Sequence, residues 1–233
     1  MKMKVGVLAL QGDYAAHAQA LRGLGADVLE VRKAKHLEQV SGLVIPGGES
    51  STLLKLIDPH LKEDILQRAG DDLSLLGTCA GCIFLASEVT NPGQDSLALL
   101  DISVVRNAYG RQLESFVEPS LHWTDSGKKV LVALSLKSDS LLAELEGVFI
   151  RAPKIVRTGE GVQVLASCGS DPVWVRNGKI WATTFHPELS PGPSIVHQAF
   201  LDSCSKEAAG TAHSACSIAS APHLDLRLFV AAH

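Results

Sequence analysis

Val5-Gly6-Val7-Leu8-Ala9-Leu10 is an unbroken apolar run that stops at Gln11-Gly12-Asp13, the pattern of a strand buried on both faces of a parallel sheet. From Tyr14 to Leu24 the period becomes helical, with Ala15, Ala18, Leu21 and Leu24 on one stripe. Asp13 is expected to cap this helix and Gly25 to stop it. Further buried strands are predicted at Asp27 to Val31, Ser41 to Ile45 and Leu73 to Leu76. The third run, Ser41 to Ile45, breaks at Pro46-Gly47-Gly48, after which Ser50 or Ser51 is expected to cap a helix through Ile57. The run at Leu73 enters Gly77-Thr78-Cys79-Ala80-Gly81 and then an apolar helix, Cys82 to Ala86. Strand and helix therefore alternate, as in an α/β sheet.

Beyond Asn91-Pro92-Gly93 the texture changes to short strands between turns: Leu100 to Val105, Lys129 to Leu136, Val148 to Ile150, Val162 to Ala166, Val173 to Val175 and Ile180 to Thr184. A last helix is expected from Ser194 to Cys204. After it the chain turns to Ala, Ser and His without a clear period. The expected fold class is α/β, a doubly wound, mostly parallel sheet flanked by helices with a β-rich second half. Its domain would run from residue 1 to 205, and 206–233 would be a weakly ordered tail.

Composition narrows the function. Of 233 residues, 46% are hydrophobic and 20% charged, enough apolar surface for a sizeable core and against wholesale disorder. A net charge of −4 without any Lys/Arg block leaves no footprint for nucleic acid or an anionic membrane. No apolar run approaches the roughly 20 residues of a membrane span. Met1-Lys2-Met3-Lys4 and the run after it imitate a signal peptide, but no small-residue cleavage pattern follows, so a first strand is expected. Five scattered cysteines (Cys79, Cys82, Cys168, Cys204, Cys216) do not resemble a disulfide framework and point to a reducing, cytoplasmic setting.

The chemistry concentrates at three junctions. Gly77-Thr78-Cys79-Ala80-Gly81, between strand and helix, is the cysteine version of a nucleophile elbow, in which small neighbours permit a strained turn and the helix N-terminus favours thiolate. Cys79-Ala80-Gly81-Cys82 also reads as a dithiol redox motif. The glycines, however, frame Cys79 alone, and Cys82 opens an apolar helix where cysteine serves as a small hydrophobe. Neither a second Cys-x-x-Cys nor a spaced His pair is present for structural zinc. A base and its orienting group are offered by His186-Pro187-Glu188, directly after a predicted strand. Among the other histidines, His17, His36, His60 and His197 read as helix or helix-end positions, His122 as part of an irregular stretch, and the rest as tail. Pro46-Gly47-Gly48-Glu49-Ser50 supplies a turn whose amides could receive an oxyanion or cradle a phosphate, though it lacks a P-loop ending.

In this order, Gly-Gly-Glu-Ser, Gly-Thr-Cys-Ala-Gly and His-Pro-Glu resemble the triad (class I) glutamine amidotransferases, whose fold is flavodoxin-like. With Leu8-Ala9-Leu10-Gln11-Gly12, Arg106-Asn107-Ala108-Tyr109-Gly110-Arg111-Gln112 and Val148-Phe149-Ile150-Arg151-Ala152-Pro153, the chain resembles, from about Val5 to Phe200, the family of glutaminase subunits of pyridoxal 5′-phosphate synthases. The resemblance implies that Cys79 attacks the glutamine side-chain amide, His186 acts as base and then acid, and Glu188 orients His186. It places substrate contacts at Gly47, Gly48, Glu49, Ser50, Arg106, Ile150 and Arg151, with Arg106 or Arg151 facing the α-carboxylate, and it calls for no cofactor and no metal. It also implies a partner, the (β/α)₈ barrel synthase subunit that receives the ammonia in a large hetero-oligomer and stimulates a weak glutaminase. A peptide flip at Gly47-Gly48 on docking would fit that dependence. Cys82 stands where the family usually has Met or Leu, Ser120 to Leu145 is longer than the compact pattern, and the tail has no counterpart. The rival readings are an amidotransferase serving another acceptor and a catalytically silent interaction subunit.

Overall fold

The computed structural model describes residues 3–69, 71–108, 115–134, 136 and 145–205. The expected tail, Tyr109 to Gln112 and part of the long 120–145 segment lie outside these described residues. In chain order the elements are β1 (Lys4–Leu8), α1 (Tyr14–Gly23), β2 (Asp27–Val31), α2 (Ala34–Leu37), β3 (Gly42–Ile45), α3 (Ser50–Leu56), α4 (Pro59–Ala69), β4 (Ser74–Thr78), α5 (Ala80–Leu85), β5 (Ala86–Thr90) and β6 (Leu100–Val105). There follow β7 (Phe116–Glu118), β8 (His122–Trp123), α6 (Asp125–Ala133), β9 (Gly147–Phe149), β10 (Lys154–Thr158), β11 (Gln163–Cys168), β12 (Asp171–Asn177), β13 (Ile180–Thr183) and a last helix, α7, at 195–205.

The main sheet has eight strands in the order β2-β1-β3-β4-β13-β12-β11-β8. The first five run parallel and the last three antiparallel. The apolar runs at β1, β3 and β4 are continuous because each strand feeds two cores. Leu43 and Ile45 of β3 and Leu75 of β4 face one core, under α2 to α5; Val44 and Leu76 face the other, with Leu21 of α1, Leu131 of α6 and Phe200 of α7. That alternation is the doubly wound arrangement. β10-β6-β5 form a second sheet and β7-β9 a two-stranded ribbon. No helix among the described residues is long and apolar enough to cross a membrane.

Three local expectations are corrected. Lys129 to Leu136 begins in a helix: Thr124 accepts the Gly127 amide at 2.9 Å, a side-chain N-cap, and Val130, Leu131 and Leu134 turn inward while Val132 is 61% exposed. The valines imitate a strand, but the burial period is helical. At α3 the cap is Glu49, whose carboxylate accepts from Ser51, and Ser50 is already inside the helix. Asp13 precedes α1 without a side-chain capping bond, because its carboxylate is turned toward a pocket.

Candidate active site

The carboxyl ends of β1, β3, β4 and β13 lie side by side on one edge of the sheet, where ligand sites of such folds form. They lead into Gln11, Gly47, Cys79 and His186 respectively. Thr78 pairs with Thr183 in register, so the residues that follow β4 and β13 start from adjacent positions.

Cys79 has φ 48° and ψ −101°, a left-handed backbone that a side chain rarely adopts, and its amide donates to Thr183 O at 2.9 Å. The flanking glycines are dictated by crowding. A Cβ on Gly77 would lie 2.5 Å from Gly81 O, and one on Gly81 would overlap the Ile45 carbonyl. Cys79 is 5% exposed, with Sγ 3.9 Å from Ile150 O. Cys82 is wholly buried, and burial pushes its thiol well above the usual range; Cys79 and Cys82 are not bonded to each other.

His186, 4% exposed, is anchored by its amide to Val148 O at 2.9 Å, and its Nδ1 lies 2.7 Å from Glu188 Oε1. Burial opposes the imidazolium, but hydrogen bonds to Cys79 and Glu188 outweigh it and raise His186 to about 10. Burial likewise opposes the Glu188 carboxylate, yet the facing His17 and His186 hold it well below the ordinary glutamate range. Cys79, His186 and Glu188 thus form a connected thiol, imidazole and carboxylate, the order that a nucleophile, its base and an orienting group require.

The Gly-Gly turn packs against this group. Gly47 N–H donates to Thr78 Oγ1 at 3.1 Å, Glu49 N–H to Gln11 Oε1 at 2.9 Å, and Gln11 Nε2 to Gly47 O at 3.3 Å. Gly48, at φ 127°, lies between these two committed amides. An open pocket of about 190 Å³ is lined by Gly48, Glu49, Ser50, Cys79, Arg106, Ile150, Arg151 and His186, together with Asp13, Ile83 and Asn107. Every expected substrate residue therefore converges there except Gly47, which lies immediately behind. Arg106 Nη2 is 3.1 Å from Glu49 Oε1, Ser50 donates its hydroxyl to Gln94 at 2.8 Å, and Arg151 sits exposed at the rim with φ 44°. Asp13, His186 and Glu188 each bring one ligand-type atom within 4.8 Å of the others, but His186 and Glu188 are committed to each other.

Sequence reasoning assigned no role to four side chains: Gln11, Thr78, His17 and His197. Gln11 and Thr78 clamp the turn, and their position at the ends of parallel strands was a usable signal. His17 and His197 do lie in helices, yet both are fully buried and in contact. The signal missed for His17 is its place on the buried stripe of α1, four residues before Leu21, where a polar group requires a partner.

Fold and geometry together define a class I glutamine amidotransferase architecture carrying an elbow cysteine beside a His–Glu pair. Comparison with known proteins agrees. The SNO glutamine amidotransferase family matches residues 7–206, and the chain belongs to that family. It is 49% identical over 199 residues to pyridoxal 5′-phosphate synthase subunit PdxT of Koribacter versatilis, covering 85% of this chain and 94% of that protein. It is 46% identical over 205 residues to a PdxT subunit of Thermus thermophilus, covering 87% and 98%. A solved structure described as a glutamine amidotransferase superposes with a TM-score of 0.74 at 45% identity, covering 86% of this chain and 98% of that one.

Proposed function

We propose that this protein hydrolyses L-glutamine to glutamate and ammonia and supplies the ammonia for pyridoxal 5′-phosphate synthesis. The observation that carries this reading is that Cys79 and His186 line a pocket with the Gly48-Glu49-Ser50 turn, with Glu188 buried behind His186 and bonded to it. Cys79 Sγ, its proton already passed to His186, attacks the carboxamide carbon, and the Gly48 amide faces the developing oxyanion. His186 returns the proton to the departing nitrogen, releasing ammonia and leaving a γ-glutamyl thioester. Water, deprotonated by His186, then frees glutamate and restores the thiol. Glu188 keeps His186 in the Nδ1–H tautomer throughout, so that Nε2 is the atom that exchanges protons. Glu49 and the two arginines, Arg106 and Arg151, offer opposite charges to the zwitterionic end of the amino acid, and Ile150 borders the side-chain slot.

The relatives at 42–49% identity are synthase subunits, which supports a second subunit as the ammonia acceptor. That partner is taken to be a (β/α)₈ barrel within a large hetero-oligomer, working in the cytoplasm. The domain of 1–205 would contain the whole glutaminase, with 206–233 outside it.

The test is glutamate release from glutamine by the purified chain, alone and with an added pyridoxal phosphate synthase subunit. Strong stimulation is expected. Activity indifferent to the synthase would transfer the chain to another acceptor, and no activity in either condition would favour a silent docking subunit.

A further inference from the structure

Glu188 has two carboxylate oxygens, and the mechanism above uses only Oε1. Oε2 lies 3.2 Å from Nε2 of His17, with both side chains sealed from solvent. The same Nε2 is 3.1 Å from Thr78 Oγ1, which also accepts the Gly47 amide at 3.1 Å. The His17 N–H is aligned on Thr78, and Glu188 Oε2, with no aligned donor of its own, sits beside that bond. On the other edge of the ring, His17 Nδ1 is 2.8 Å from Nε2 of His197. One imidazole thus touches the triad carboxylate, the hydroxyl that holds the oxyanion turn, and a second buried imidazole.

The ring protons of His17 and His197 fit one arrangement. A bare Nε2 on His17 would aim its lone pair at an anionic oxygen 3.2 Å away, so Nε2 carries the hydrogen. Among the described residues, His197 Nδ1 has no hydrogen-bond partner. If His17 donated from Nδ1, His197 would carry its own proton on that partnerless atom and bury an unsatisfied N–H. If instead His197 Nε2–H donates to His17 Nδ1, the partnerless nitrogen is bare and no ring proton is orphaned. Burial lowers His197 to about 3 and keeps it neutral.

We propose that His17 is a positioning residue for glutamine hydrolysis: held by a bond from His197, its Nε2–H fixes Thr78 and Glu188 together, locking the oxyanion turn to the triad carboxylate. The proposal rests on the glutaminase reading. Because turn and carboxylate both act on the transition state, loss of this junction lowers kcat and leaves KM for glutamine nearly unchanged.

The experiment uses the full chain with its synthase subunit and compares wild type, His17→Leu, His197→Leu and His197→Gln, the last keeping an N–H donor toward His17. His17→Leu is expected to lower kcat about threefold to tenfold, the scale of a lost neutral hydrogen bond. His197→Leu should fall in the same direction, and His197→Gln should recover most of that loss. Folded Leu variants, checked by thermal melting, with wild-type kcat would overturn the proposal. If the variants do not fold, ring ¹⁵N NMR of the wild-type chain decides. Neutral Nε2–H tautomers on both His17 and His197 are expected, and a His17 protonated on both nitrogens at neutral pH would overturn the proposal. Wild type that releases no glutamate with the synthase present would sink the glutaminase reading and this proposal with it. Active wild type with an indifferent His17→Leu would sink the proposal alone.

Discussion

The His186 ring occupies the space that a side chain on Gly47 would need: a Cβ there would overlap Cε1 and stand 3.0 Å from Nδ1 and 3.4 Å from Cys79 Cβ. The turn and the base are therefore packed directly against each other. The glycine is required by this contact rather than by its dihedral angles.

Gly47→Ala must push His186 off its bond to Glu188 or displace the turn. A misplacement of about 1 Å costs on the order of a hundredfold in rate, so synthase-stimulated glutamate release is expected to fall by at least that factor. The global melting temperature should change little by comparison. Wild-type turnover by Gly47→Ala would show that the ring and the turn move independently.

Cys79→Ala should abolish glutamine-dependent pyridoxal phosphate formation and leave formation from added ammonium salts intact. Cys82→Ser should keep the reaction while costing about 1–3 kcal/mol of stability, because it buries a hydroxyl in an apolar site. Mass analysis after mild oxidation is expected to find no Cys79–Cys82 disulfide, since the Cys82 thiol is buried and held protonated. Loss of activity in Cys82→Ser, with the fold retained, would revive the dithiol reading.

Glu49 and Arg106 form an ion pair at the pocket with the arginine largely covered and the glutamate half exposed. A zwitterionic substrate can exchange into this pair, its charges replacing those of the partners. Glu49→Gln and Arg106→Gln are each expected to raise KM for glutamine about tenfold, the scale of one charge-assisted hydrogen bond, with a smaller change in kcat. Steady-state kinetics with the synthase present would reveal it, and an unchanged KM in both variants would remove the pair from substrate binding.

The buried histidines give stability a pH signature. His186 is raised to about 10, so its contribution is complete below about 6.5 and is lost as pH rises toward 10. His197 is lowered to about 3, so the unfolded chain takes up a proton that the folded chain refuses, and stability falls as pH drops below about 6.5. Glu188, held below its ordinary value, adds loss only below about 4.5. Between pH 6.5 and 4.5 the slope from these three groups therefore belongs to His197, amounting to about 2 kcal/mol across the window. Urea melts of His197→Gln should be flatter than wild type there; parallel curves would show that His197 titrates normally in the folded protein.

The convergence of the proposed triad was legible because its members sit at strand ends punctuated by Gly and Pro, where the end of an apolar run and the start of polar chemistry coincide. Glu49, Arg106, Ile150 and Arg151 came from the family resemblance alone; spacing gave no hint that β6 and β9 carry Arg106 and Ile150 to the same pocket. His17 and His197 are 180 residues apart and join only because α1 and α7 cover the same face of the sheet. Helix periodicity reports that a residue is buried, not what it meets. α4 went unpredicted because its buried positions, Leu61, Ile65 and Ala69, are diluted by charges, although Asp58 accepting from His60 and Leu61 ahead of the helix is a legible cap. β5 and β10 went unpredicted because they are half exposed and lack a continuous apolar run.

Thr78 and Thr183 are paired partners on neighbouring parallel strands, and the nucleophile and the base follow them by one and three residues. The ladder hydrogen bonds of a central sheet set that spacing, and core ladders of this kind are among the last parts of a fold to open. An incoming protein can therefore do little to the distance between sulfur and imidazole. What it can still alter is the loop layer above them, at 47–50 and 150–151, so any gain in rate on assembly has to come from how substrate is received and how the oxyanion is met, with the proton-transfer machinery already built in the lone subunit.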